Sequence, residues 1–102
     1  MIEQVVRAPT LLGTESRAAF YEEALQQLSV LAQAAGGSAG RLVIDLSGTN
    51  GIDSMGLSTL VLLQLRAAER RVTICLRGAS EEVRFLLLMT RLEDRFDLEA
   101  KE

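Results

Sequence analysis

The chain has no histidine, one cysteine and one proline, and its aromatic residues are one tyrosine and three phenylalanines in 102 residues. Without histidine it lacks the commonest general base and the commonest transition-metal ligand. One cysteine cannot assemble a thiolate metal cluster, so no metal and no cofactor is expected. The same residue, Cys75 in the apolar run "VTICL", excludes a disulfide framework and points to a reducing compartment. A net charge of −3 and a pI near 5.0, with so few aromatics, argue against nucleic-acid binding. No apolar run approaches the ~20 residues needed to span a bilayer. The opening "MIEQVVRAPT" lacks the basic start and apolar core of a signal peptide. A cytoplasmic protein without membrane insertion is expected, and most enzyme classes are already disfavoured.

What is present is a globular composition, 48% apolar and 25% charged, sized for a single domain over residues 1–102 with one modest core. "IEQVVR" reads as a first strand closed by Pro9. From Glu15 the period lengthens: Phe20, Ala24, Leu28, Leu31 and Ala35, flanked by Tyr21, Leu25 and Ala32, mark an amphipathic helix with Thr14 or Ser16 as N-cap. "GGSAG" over residues 36–40 ends that helix. "RLVIDL" (41–46) and "RVTICL" (71–76) are strands, the second rich in β-branched residues. Between them a helix runs from Leu57 to about residue 70, with Leu57, Leu60, Val61, Leu65 and Ala68 on one face and apolar residues most of the way round. A third helix opens at Ser80 as N-cap, with Glu81 and Glu82 favourable to its dipole, and its run "LLLM" (86–89) reads as core packing, or as an exposed patch for a partner or second subunit. "RFDL" (95–98) is a possible last strand. Alternation of this kind implies an α/β fold, a mostly parallel sheet of about four strands with helices packed against it.

Sites in such folds lie beyond the carboxyl ends of the strands, and "SGTNGIDSMG" occupies that position. A phosphate-binding P-loop, and with it weak nucleotide hydrolysis, is disfavoured there: no lysine follows the glycines, the next cation is Arg66, and Asp53 would repel a nucleotide phosphate. A serine-hydrolase elbow is excluded by the missing histidine. Asp45 is placed to bond the neighbouring loop, and Cys75 in a strand reads as core, not redox chemistry. For Asp53 and Ser54 two readings stand side by side, a helix N-cap and a functional site on a loop above the sheet.

"LVIDLSGTNGIDSMGLSTLVLL" resembles the signature of the STAS domain, the fold of bacterial anti-sigma factor antagonists. That pattern has an apolar strand ending in Asp-Leu-Ser, a variable loop, then Asp-Ser-Ser/Thr-Gly-Leu-Gly and an apolar helix. "RVTICLRGASEEVRFLLLMTRLEDRFDL" is similar to the second half of the domain. The resemblance covers about residues 42–98 well and the first forty loosely. It implies a non-enzymatic regulator that binds an anti-sigma factor with serine kinase activity and is switched off when the serine after the Asp is phosphorylated, a phosphatase restoring it. That serine is Ser54; Asp53, Met55, Gly56, Leu57, Ser58 and Val61 are then the expected partner-binding residues. Met55 stands where Ser or Thr is usual, Ser58 where Gly is usual, and the N-terminal part looks short of the usual paired strands. STAS domains also serve as small subunits of lipid-transporting ABC systems, docked on the ATPase, or in larger signalling assemblies, which is the alternative. A homodimer is compatible with either.

Overall fold

The computed structural model describes residues 2–35 and 40–99. Four parallel strands, β1 (Ile2–Arg7), β3 (Gly40–Asp45), β5 (Val72–Arg77) and β6 (Asp97–Glu99), form a sheet in the order β1-β3-β5-β6. Its registers run Ile2↔Gly40 to Arg7↔Asp45, Gly40↔Val72 to Asp45↔Arg77, and Cys75↔Asp97 to Arg77↔Glu99. A second, two-residue parallel ladder pairs β2 (Leu11–Leu12) with β4 (Gly51–Ile52). The helices are α1 (Arg17–Ala35), α2 (Ser54–Glu69) and α3 (Glu81–Met89), and a 3-10 turn, Glu93–Arg95, leads into β6.

Each strand of the main sheet is added on the same side of the one before. Right-handed crossovers then carry all three helices to one face. There Leu42 and Ile44 of β3 and Val72, Ile74 and Leu76 of β5 meet Phe20, Ala24, Leu28 and Leu31 of α1, Leu60, Leu63 and Ala67 of α2, and Val83 and Leu87 of α3. Burying each large aliphatic side chain contributes about 1.5–3 kcal/mol. The alternation that sends these residues into the core sends Arg41, Val43, Cys75 and Arg77 to the opposite face, which carries no helix. Val43 and Cys75 are nonetheless fully buried. A charged roof covers them: Arg41 meets Glu3 (3.6 Å), Asp97 (3.3 Å) and Glu99 (3.3 Å), and Arg77 meets Glu3 (3.5 Å) and Glu99 (3.1 Å). The long stems of such residues shield apolar surface while their charged heads stay wet.

The α/β class, the parallel four-stranded sheet and the three helices agree with the sequence reading; several details differ. The buried face of α2 is Gly56, Thr59, Leu60, Leu63 and Ala67, whereas Leu65 and Ala68 are exposed. The helix is apolar nearly all round, so periodicity alone cannot choose its inner face. The close contact made by Gly56 does. The "LLLM" run is not core as a block: Leu87 is buried, but Leu88 (56%) and Met89 (65%) are exposed beside Phe85 (62%). Ser16 precedes α1 without capping it in the usual way. Its hydroxyl donates to the Leu11 carbonyl (2.6 Å) and accepts the Gly13 N–H (3.2 Å), holding the preceding loop. The two N-terminal strands do not pair with each other: β1 pairs with β3 and β2 with β4. Of the "GGSAG" break, Gly40 opens β3 and residues 36–39 lie outside the described residues.

Candidate functional site

The carboxyl ends of β1 and β3 lead into two segments, residues 8–14 and 46–53, that are stitched to each other. Asp45 Oδ1 accepts the Ser47 N–H at 2.9 Å, which turns the chain away from β3. This bond, first of all, holds the Asp45 carboxyl below its ordinary pKa. The Thr49 hydroxyl, on a buried residue, donates to the Pro9 carbonyl at 2.9 Å. The Asn50 N–H donates to Thr10 O at 2.7 Å and the Asp53 N–H to Leu12 O at 3.2 Å, on either side of the β2–β4 ladder.

α2 begins at Ser54, three residues before the apolar period suggested, and Asp53 is its N-cap. Asp53 Oδ1 accepts the Gly56 N–H at 2.9 Å while Oδ2 accepts the Thr14 N–H at 3.2 Å. The same carboxylate therefore caps α2 and grips the turn that leads to α1. The Gly56 amide is the main cause of its lowered pKa. Two glycines allow this approach. A Cβ on Gly56 would come within 2.7 Å of the Leu12 carbonyl carbon, and one on Gly13 within 2.7 Å of the Asp53 carboxyl carbon.

With Asp53 as the cap, the Ser54 side chain is left over. It is exposed at the first helical position, and its hydroxyl has no hydrogen-bond partner among the described residues. Met55 beside it is 37% exposed. Ser58 is exposed and returns its hydroxyl to the Ser54 carbonyl at 2.9 Å. Leu57 is half-buried against the core and Val61 half-buried. Gly56 is buried, so its part is to position the turn. The sequence reading missed Leu62 and Leu65, which continue the outer stripe of α2 at 39% and 48% exposure, and Leu11 (66%) in β2. Helical spacing from Ser54 through Ser58 to Leu62 and Leu65 was the available signal. An open groove beside the turn, lined by Leu11, Gly13, Thr14, Glu15, Ile52 and Asp53 among others, has no basic residue in its wall. It is unsuited to a phosphate or nucleotide. Among the described residues no group of three or more cysteine, aspartate or glutamate side chains is placed to hold a metal, and no helix is long and apolar enough to cross a membrane.

The arrangement is an exposed hydroxyl at a helix N-terminus, on a turn hydrogen-bonded to the neighbouring segment, flanked by an apolar helical stripe. A family model described as "Mlab, STAS domain" matches residues 3–99. The backbone is similar to a solved structure from Thermotoga maritima, provisionally described as an anti-sigma factor antagonist. The TM-score is 0.74 at 19% identity, covering 95% of this chain and 80% of that one, a likeness of fold. No curated protein matches significantly.

Proposed function

The chain belongs to the STAS-domain family, and on that premise we propose that it is a non-enzymatic regulator of the anti-sigma factor antagonist type. Its partner is an anti-sigma factor with serine kinase activity, which phosphorylates Ser54 and thereby releases itself; a phosphatase resets the switch. The observation that carries this reading is the free, exposed Ser54 hydroxyl at the first position of α2, next to a cap that Asp53 already supplies.

A phosphate at Ser54 adds about −1.5 to −2 charges at neutral pH. At a helix N-terminus that charge meets the positive end of the dipole and free amides, so the domain itself tolerates it. The loss falls on the complex. Beside the Asp53 carboxylate, the dianion must be desolvated against whatever covers Met55, Ser58, Leu62 and Leu65. A ten-thousandfold loss of affinity needs about 5.5 kcal/mol, within reach of burying an unpaired multiple charge. Ser54→Asp should abolish binding to the kinase-type partner, Ser54→Ala should retain it and block phosphate incorporation, and both should melt near wild type. A Ser54→Asp protein that folds and binds as wild type does would refute the switch.

A second reading, constitutive docking on the ATPase of a lipid-transporting ABC system, is favoured by Met55. An exposed thioether replaces the hydroxyl of the usual pattern and extends the apolar stripe of Leu62 and Leu65. Stable co-purification with a transporter ATPase, with Ser54 unmodified, would select it over the first.

A further inference from the structure

β1 is an edge of the sheet, and no described residue pairs with its outer side. Natural proteins blunt such edges with proline, a bulge, a very short strand or charged side chains. β1 has no proline, bulge or shortening: it runs six residues in continuous register with β3 and leaves Val5 51% exposed. Its charges, Glu3 and Arg7, are of opposite sign and can each meet their opposite in a second copy. The Ala8 N–H donates inward to Asp45 O at 3.0 Å. Alternation along an extended strand then turns the backbone groups of Gln4 and Val6 toward β3, and those of Glu3, Val5 and Arg7 outward. These three residues also share the helix-free face, where they read acid, apolar, base.

We infer that β1 is a self-complementary docking edge for a second copy of this chain, paired antiparallel about a two-fold axis at Val5. In that register Glu3 of each copy lies opposite Arg7 of the other, and the two Val5 side chains meet between them. All three pairings are of the doubly hydrogen-bonded kind, because the outward N–H and C=O groups belong to those same residues. A shift by one residue would send Val5 opposite a core-facing neighbour, and a shift by two would lose the charge match. Within its own chain Arg7 has no ion pair among the described residues, whereas Glu3 is reached by Arg41 and Arg77 at 3.5–3.6 Å. The partner's Arg7 thus joins the end of an existing charged roof. The two four-stranded sheets become one of eight, and the Ser54 turns point to opposite ends of the dimer, both free. This inference does not depend on phosphorylation.

Sedimentation equilibrium of the full chain tests it. Wild type should show a reversible monomer–dimer equilibrium that weakens in high salt. Arg7→Glu and Glu3→Arg each place like charges opposite one another twice and should raise the dimer Kd by about tenfold or more. An equimolar mixture of these two variants restores opposite charges at both positions and should dimerise again as a heterodimer. Val5→Pro removes an outward donor while sparing the inward ladder, a position where an edge strand accepts proline, and should be monomeric with a near-native melting curve. Should that variant not fold, Val5→Cys supplies an independent arm. Its thiols lie opposite each other across the axis; the side chains of a doubly hydrogen-bonded pair are too far apart for an unstrained disulfide, so a short bis-thiol cross-linker is used, and it should link the dimer. Wild type that stays monomeric to about 1 mM would overturn the proposal; so would single-charge variants that dimerise like wild type, a mixture that fails to recover, or Val5→Cys that does not link.

Discussion

Asp53 and Thr14 are 39 residues apart in sequence, yet the Asp53 carboxylate accepts the Thr14 N–H at 3.2 Å with one oxygen while capping α2 with the other. Replacing Asp53 by Ala removes both bonds and leaves two amides seeking water. The melting temperature should fall by roughly several degrees, and proteolysis near residues 10–16 should quicken. The pH dependence has a definite sign. The folded-state pKa of Asp53 is lowered, chiefly by the Gly56 amide, so its contribution is complete above the ordinary carboxylate value of about 3.9 and is lost as pH falls through the lower, folded value. Asp53→Asn should therefore be less stable than wild type at neutral pH and lose less on acidification below about pH 4, as thermal scans across pH would show.

Gly56 and Gly48 form a matched pair for testing the close approach at the site. A methyl on Gly56 would strike the Leu12 carbonyl, whereas one on Gly48 meets nothing within 4 Å. Gly56→Ala should cost about 1–3 kcal/mol, with Gly48→Ala within about 0.5 kcal/mol of wild type. Urea titration measures both.

The long elements were legible because each repeats one rule for several residues. "RLVIDL" and "RVTICL" carry enough consecutive apolar residues to be strands between turns, and Phe20, Ala24, Leu28 and Leu31 keep a helical period that matches their burial. The β2–β4 ladder was not legible, since two residues on each side have no period. It forms because its flanks are bonded through Thr10, Leu12, Asn50 and Asp53. The start of α2 was hidden for a related reason. Gly56 reads locally as a loop residue, and only the distant Leu12 carbonyl explains why a glycine belongs in a first turn. The capping bond itself is local, from the Gly56 N–H to Asp53, and the Thr14 N–H on the other carboxylate oxygen adds a tertiary grip that no local reading connects to it. Ser54 is left over because Asp53 takes the cap.

Arg91 occupies the residue after the C-cap of α3 with φ of 59°, a conformation that usually calls for glycine. Its N–H donates to Leu88 O at 3.1 Å and that of Leu92 to Leu87 O at 2.8 Å, the paired bonds of a Schellman motif. The left-handed backbone costs a side-chain-bearing residue about 1 kcal/mol, and part of that is offset by the greater freedom glycine loses on folding. Arg91→Gly should stabilise the domain by roughly 0.5 kcal/mol, visible as a higher denaturant midpoint with an unchanged slope.

Arg41 decides whether the helix-free face stays closed. Its Nη2 donates to Cys75 Sγ at 2.9 Å, and the thiol donates to Glu99 Oε2 at 3.4 Å beneath it. Burial, ahead of these contacts, pushes the Cys75 pKa up, so the reactive thiolate is scarce at neutral pH. In wild type a thiol reagent should modify Cys75 only as fast as the domain opens, in step with denaturant. Arg41→Ala removes the stem that shields Cys75 and Val43 and leaves Glu3, Asp97 and Glu99 without their shared cation. Labelling should then be faster and far less dependent on denaturant, because it no longer requires global unfolding. Added salt should narrow the stability gap between variant and wild type, since it screens the repulsion among the three carboxylates, of which Glu3 and Glu99 keep only Arg77. Labelling of Arg41→Ala that still follows global unfolding would show that the strands alone, and not the charged roof, bury the thiol.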